Sequence, residues 1–530
     1  MANKSLFNKT SCLPLADTSN SAGGVAYSLS SEAALAQYVM TGCLNGTFYT
    51  SAERQLDEII LLSYEVDDRF LGQLAIYARQ KGYMKDTPAL LCALLASRNI
   101  ALLKEVFPQV IDNGKMLRNF VQMIRSGVTG RQSLGSAPRQ LVRNWLSSAS
   151  EKQLLHACVG QDPSLADIVK MVHPKPTTKE MDAFYAWLLK KRVKANLLPP
   201  ITQEYEQWKV NRKAQVPDVP FQMLTSQELS KNDWIQIAKN AGWQMTRMNL
   251  NTFLRHGVMD HGRVVDVIAK RLKNKAQIKR ARAFPYQLMA AYLNVSREMP
   301  RKITNALQEA MEIALENVPK LKGRVYVAVD ISGSMHSSVS GYRAGSTSQV
   351  RCIDVAALMA ASILRKNPEA VILPFECDVR QVKLNPYDSV MRNAQKLSNM
   401  PAGGTNCSAP LSYINRKNLK VDTLIMVSDN ESWLDNPHYG WYGGGKATKT
   451  LEEWAQIKQR SPEAKFVCLD IQPNTTTQAK ERRDILNIGG FSDQVFHLIS
   501  DFANGETDAH YLERVIREVP LSEHQEAQAS

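Results

Sequence analysis

From about residue 28 to residue 320 the apolar positions recur every three or four residues. Segments such as AERQLDEIILLSYEVDDRFLGQLAIYARQKGYM and TPALLCALLASRNIALLKEVF put their large aliphatic residues on one helical face, with short Gly, Pro or Asn breaks between segments. Helices of modest length with short connections pack as antiparallel pairs, and stacked pairs build a curved solenoid, although no strict letter repeat runs through the region. The stretch from Val193 to Pro220, with Leu198-Pro199-Pro200 and Val216-Pro217, predicts a long loop or an irregular crossing. At Gly323 the pattern changes. RVYVAVD, AVILPFE, TLIMVSD and AKFVCLDI are apolar strands, and CIDVAALMAASILRK, VMRNAQKLSNM and LEEWAQIKQ are amphipathic helices between them. Strands buried on both faces and alternating with helices predict a parallel, doubly wound sheet, whose ligands bind at the C-terminal strand ends. The expected organisation is an all-α domain over 1–320 followed by an α/β domain over 321–530.

Charge sharpens this division. The 530 residues carry a formal net charge of +14, with 42 Lys/Arg against 27 Asp/Glu in residues 1–320 and 23 against 24 afterwards. A surplus confined to the helical part points to a polyanion surface there. The eight cysteines are scattered, with no CxxC pair and no Cys/His spacing suited to zinc, which reads as reduced thiols. The start, MANKSLFNKTSCLPLADTSNSAGG, is polar, and no run of 18 apolar residues occurs, so a cytoplasmic protein that does not enter a membrane is expected.

Three polar loops follow apolar segments in the second half: Asp330-Ile-Ser-Gly-Ser334, Gly403-Gly-Thr405 and Ser428-Asp429-Asn430. An Asp at the end of a buried strand costs desolvation unless a cation meets it, and hydroxyls at alternate positions beyond it add oxygen ligands. DxSxS alone is equally well read as a helix cap and a turn. All three loops in this order suit Mg²⁺ or Mn²⁺, and they resemble the metal-ion-dependent adhesion site of the von Willebrand A fold. Carried over by residue, the ligands implied are Asp330, Ser332, Ser334, Thr405 and Asp429. No nucleophile, general base or second carboxylate pair accompanies them, so binding rather than catalysis is expected.

Three basic segments stand out in the helical half: Arg125 to Arg131 continuing to Arg139 and Arg143; Arg247 and Asn249 with Arg255 and His256; and Val267 to Arg297, which contains no acidic residue. Were the last one helix, Arg271, Lys275, Lys279 and Arg282 would share a face suited to phosphates. A solvated face is the competing reading, weakened by the lack of acidic residues for i, i+4 pairs. The four arginines of the first segment are equally able to pair with carboxylates of neighbouring helices, and His173 by default is an ordinary loop histidine.

Taken together, Asn20-Ser-Ala-Gly-Gly24, Gly46-Thr-Phe-Tyr49, Gly130-Arg131 before a helix ending in Trp145, His173-Pro-Lys-Pro176, Ala281-Arg-Ala-Phe-Pro-Tyr286, Met400-Pro-Ala-Gly-Gly-Thr-Asn-Cys407 and Ser428-Asp-Asn-Glu431 resemble the Ro autoantigen family, also called TROVE proteins, in its bacterial branch. The resemblance implies a ring of HEAT-like helical repeats closed by the A-type domain. It also implies a basic hole that accepts single-stranded 3′ ends of misfolded RNAs, and an outer surface that binds a small noncoding Y-like RNA. Bacterial members are associated with an exoribonuclease in RNA quality control. By matching position it makes Arg125, Arg131, Arg139, Arg143, Arg247, Asn249 and Arg255 candidates for RNA contact, with His173 and Lys175 on the outer face. One departure is that residues 153–169 contain no Lys or Arg, where animal members are basic, so the duplex-binding surface is expected to be weaker or shifted.

Three function classes compete. The favoured one is an RNA-binding adaptor without catalytic activity, with no DNA or membrane partner. The second is a protein-interaction scaffold whose metal grips an acidic partner residue. A metal-dependent phosphoryl-transfer enzyme comes last, because there is no P-loop and no second cluster of metal-binding carboxylates.

Overall fold

The computed structural model describes residues 13–42, 44–281, 285–315, 318–342, 350–433, 447–492, 494–505 and 510–522. Contacts divide the chain into two compact units. One comprises Met1–Val66, Phe284–Ala290 and Met311–Glu518, and the other Asp67–Ala283, Ala291–Ala310 and Val519–Ser530. This differs from the boundary expected at residue 320, because residues 13–66 belong with the sheet unit rather than with the basic helices.

In the sheet unit, short strands β1 (Thr18–Ser19) and β2 (Val25–Ser28) precede β3 (Val325–Asp330), β4 (Val371–Phe375), β5 (Thr423–Ser428), β6 (Lys465–Asp470), β7 (Thr476–Thr477) and β8 (Ile485–Gly489). The five longer C-terminal strands form a parallel sheet in the order β4-β3-β5-β6-β8. Every residue of β3 and β5 is buried, which is why their sequences are apolar without alternation. Each fully buried Val or Leu there contributes about 1.5–3 kcal/mol of transfer free energy. Strand β2 pairs antiparallel with β7, and its Tyr27 is fully buried among Leu424, Met426, Trp454 and Phe466. Helix Ser31–Thr41 packs on β8. The expected strands and the helices Cys352–Lys366, Val390–Ser398 and Lys449–Arg460 are present. The sequence reading missed β8, whose ILNIG carries an Asn in mid-strand, and helix Ala409–Arg416.

The helical unit is a stack of pairs. Helix Asp68–Gln80 packs on Asp86–Arg98 and Ile100–Val110; Asp86–Arg98 packs on Gly114–Arg125; and Ile100–Val110 packs on Ser136–Ser148. Each of these helices thus meets the next but one along the chain, as stacked helical repeats do. The expected loop at 193–220 contains a helix, Pro200–Val210. Pro200 sits at its start, where a missing N–H costs nothing, and the Glu151 carboxylate accepts the N–H groups of Ile201 (3.2 Å) and Thr202 (2.6 Å). The helix buries Thr202, Tyr205 and Trp208 on one side.

Candidate metal centre and nucleic-acid interface

β3 ends on Asp330 and β5 on Ser428, in parallel register with Val329 opposite Val427, so the loops that follow leave the sheet side by side. Asp330 is fully buried. Its Oδ1 accepts the Ser332 N–H at 2.8 Å and its Oδ2 accepts the Ser428 hydroxyl at 2.6 Å. The Ser332 and Ser334 hydroxyls lie 3.2 Å apart. The Thr405 loop is tied in by a hydrogen bond from Gly333 N–H to the Gly403 carbonyl at 3.0 Å, and by one from Trp433 N–H to the Thr405 carbonyl at 3.4 Å. The three expected loops therefore converge.

Asp429 is buried, and its backbone carbonyl accepts the Asn474 side chain at 2.7 Å. Neither of its carboxylate oxygens has a donor in hydrogen-bonding geometry among the described residues. Burial pushes both aspartates upward, Asp429 well above the usual carboxylate range, with repulsion from Asp330 adding to it and the Ser334 hydroxyl opposing it. An unpaired buried carboxylate beside hydroxyls of Ser and Thr is a hard oxygen donor set, and it fits Mg²⁺ or Mn²⁺.

The structure adds residues that sequence reasoning missed. Asp470 ends β6 opposite Ser428, is buried, and accepts the Gln37 side-chain amide at 3.1 Å. Its signal was available, since KFVCLD ends as VYVAVD does, with an Asp closing an apolar strand. Two motifs of the N-terminal segment also come to this edge. The Asn20 side chain donates to the Ser432 carbonyl at 2.7 Å, and Ala22 N–H donates to Glu431, whose carboxyl burial pushes up to about 7. Asn45 donates to the Ser340 carbonyl at 3.0 Å and Tyr342 N–H to the Gly46 carbonyl at 2.8 Å, which brings Tyr49 within reach of the Ser334 hydroxyl.

In the helical unit the basic candidates separate into two groups. Arg125, Arg139, Arg255, His173, Lys175 and Lys279 are exposed. His173 caps helix Leu165–Val172 in a left-handed conformation, with φ at 48°. Arg131, Arg143, Arg247 and Asn249 are turned inward. Arg131 donates to the Ala96 carbonyl and Arg143 to the Val172 carbonyl, and neither forms an ion pair with a carboxylate among the described residues. Arg247 is buried, and the Asn249 side chain donates to the Met245 carbonyl at 2.9 Å.

The expected stripe is corrected. The helix breaks after Leu272 and restarts at Lys275, so Arg271, Lys275 and Lys279 do not follow one helical face. Arg271 donates to the carbonyls of Ala238 (2.7 Å) and Lys239 (2.5 Å) and to the Thr246 hydroxyl (3.0 Å), satisfying one helix terminus. Lys275 is exposed, and Arg282 lies outside the described residues.

Residues 324–503 match the family model of the Ro60 vWA domain. The RNA-binding protein RO60 of Deinococcus radiodurans is 26% identical over 524 residues, spanning 92% of this chain and 95% of that protein. The chain is thus similar to Ro proteins over nearly its whole length, and its residues 324–503 match the Ro60 vWA domain. A second Ro relative, the RNA-binding protein RO60 of Caenorhabditis elegans, is 28% identical over 286 residues, 49% of this chain and 40% of its own length. The crystal structure of the Deinococcus radiodurans RO (RSR) protein superposes with a TM-score of 0.60 at 24% identity, covering 90% of this chain and all of that one, and shares the fold. No helix among the described residues is long and apolar enough to cross a membrane.

Proposed function

We propose that this protein binds RNA, taking up a small noncoding Y-like RNA and the single-stranded 3′ ends of misfolded RNAs, and acts in cytoplasmic RNA quality control or processing alongside an exoribonuclease. The observation that carries the reading is the similarity over 92% of the chain to a protein named for RNA binding. The exposed Arg125, Arg139 and Arg255 on the basic helical unit support it, since arginine offers both phosphate attraction and stacking on unpaired bases. The chain acts as a binding protein rather than an enzyme. Cys92, Cys158, Cys377, Cys407 and Cys468 are free thiols, in keeping with a reducing compartment.

Asp330, Ser332, Ser334, Thr405 and Asp429 would hold Mg²⁺ or Mn²⁺, the Asp429 carboxylate being the donor left over by the protein's own hydrogen bonds. Bound there, the ion supplies an electrophilic position for an acidic group or a phosphate of a partner.

The test is competition, at fixed salt and with protein freed of co-purified RNA, between a hairpin with a roughly ten-nucleotide 3′ tail and its blunt counterpart, because a tail of that length engages several stacking and phosphate contacts. Preference for the tailed RNA is expected. Equal affinity removes end recognition, and no affinity for either leaves a protein-interaction scaffold as the better reading.

A further inference from the structure

Outside the strand-end loops the sheet unit holds a second group of metal-ligating side chains. Glu481 lies between β7 and β8; His510 caps helix Tyr511–Arg517 in a left-handed conformation, with φ at 66°; and Glu513 lies in the first turn of that helix. One donor atom from each lies within 4.8 Å of the other two. Glu513 is 5% exposed. Its Oε1 accepts the Ser30 hydroxyl at 3.0 Å and meets the His510 Nδ1 at 3.2 Å, whereas its Oε2 has no partner among the described residues.

Neither glutamate makes an ion pair with Lys or Arg among the described residues. Burial, then the facing Glu513, pushes the Glu481 carboxyl up to about 8. Two carboxylates turned toward each other, one with a bare buried oxygen, are an arrangement that a divalent cation relieves.

We infer that Glu481, His510 and Glu513 form a second cation site, selective for zinc-class ions. An imidazole with two carboxylates suits Zn²⁺, while Mg²⁺ favours the all-oxygen set at the strand ends. Zinc bonds near 2.0–2.2 Å bring donors to about 3.3 Å from one another, a closure within the reach of side-chain rotation. The His510 side chain is 63% exposed, so a fourth position opens to water. Through Ser30, the N-cap of helix Ser31–Thr41, the bound ion tightens the N-terminal segment against the C-terminal helix. The inference is independent of RNA binding.

The experiment uses the full chain, stripped with chelator and held in excess MgCl₂, titrated with ZnCl₂ by calorimetry. One tight zinc per chain is expected. Glu481→Gln and His510→Gln should each weaken it roughly tenfold or more, while Asp330→Ala leaves it intact. X-ray absorption should show one imidazole nitrogen in an otherwise oxygen shell. Glu513 is left in place because it also holds Ser30, and circular dichroism confirms that both Gln variants fold. Wild-type zinc affinity in both Gln variants, loss of zinc in Asp330→Ala, or a sulfur ligand in the absorption spectrum would each overturn the site.

Discussion

Replacing Asp429 by Asn should reverse the order of stability depending on whether magnesium is present. Wild-type Asp429 is 1% exposed, neither of its carboxylate oxygens has a donor in hydrogen-bonding geometry among the described residues, and it is repelled by Asp330 and Glu431. An isosteric amide removes the repulsion and offers N–H donors to those same carboxylates. An uncompensated buried charge costs several kcal/mol, part of which partial protonation relieves, so the metal-free variant should gain about 1–3 kcal/mol. Magnesium at a thousandfold over its dissociation constant stabilises the wild type by about 4.1 kcal/mol, and the variant forgoes most of this. For a unit of this size one kcal/mol moves the melting temperature by about 2–4 °C. Scanning calorimetry should therefore show the variant melting several degrees higher in EDTA and lower in magnesium. Destabilisation in both buffers, or an equal magnesium shift in both proteins, would refute the reasoning.

Combined Ala replacement of Arg125, Arg139 and Arg255 should lower the slope of log K against log salt for single-stranded RNA by about 2, at about 0.7 per lost phosphate contact, and an unchanged slope would return them to a solvated surface. Arg271→Ala should cost the helical unit about 1–3 kcal/mol in thermal melts, because two helix-terminal carbonyls and the Thr246 hydroxyl lose their donor, while leaving that salt slope unchanged. Lys279→Ala should do the opposite, and a lower slope in Arg271→Ala would restore that residue to the RNA surface. In Gly24→Ala the added carbon would lie 2.2 Å from the Ser432 carbonyl oxygen, so amides of residues 18–28 should exchange faster in hydrogen-exchange mass spectrometry, and wild-type protection would contradict the close approach.

Strand-end chemistry was the most legible part of the molecule, because buried parallel strands leave polar residues only where they end. Asp330 and Asp429 announce themselves in this way, and Asp470 does so equally once β6 is placed beside β5. The helical half was legible as helices but not as a surface. Arg125 and Arg131 carry the same charge six positions apart, yet one points to solvent and the other closes the carbonyl of Ala96, a difference that depends on which helix end lies opposite. Periodicity likewise hid the break after Leu272, since the apolar spacing continues across it through Ile278. The membership of residues 13–66 in the sheet unit was not readable, because helix Ser31–Thr41 carries the same 3.6-residue pattern whichever unit it covers.

That long-range pairing has a consequence for how the protein is made. Strand β2 and Tyr27 leave the ribosome before the helical unit, but their partners Thr476–Thr477 and the core around Trp454 follow only after most of that unit has been synthesised. Roughly 240 residues separate Val66 from Met311, which at about 5–20 residues per second is a delay of about 12–50 s before the bulk of the sheet unit begins to appear. The helical unit, local in its contacts, is free to fold during that interval, so translation itself imposes an order in which the repeats form first and the sheet unit, split on either side of them, is completed last.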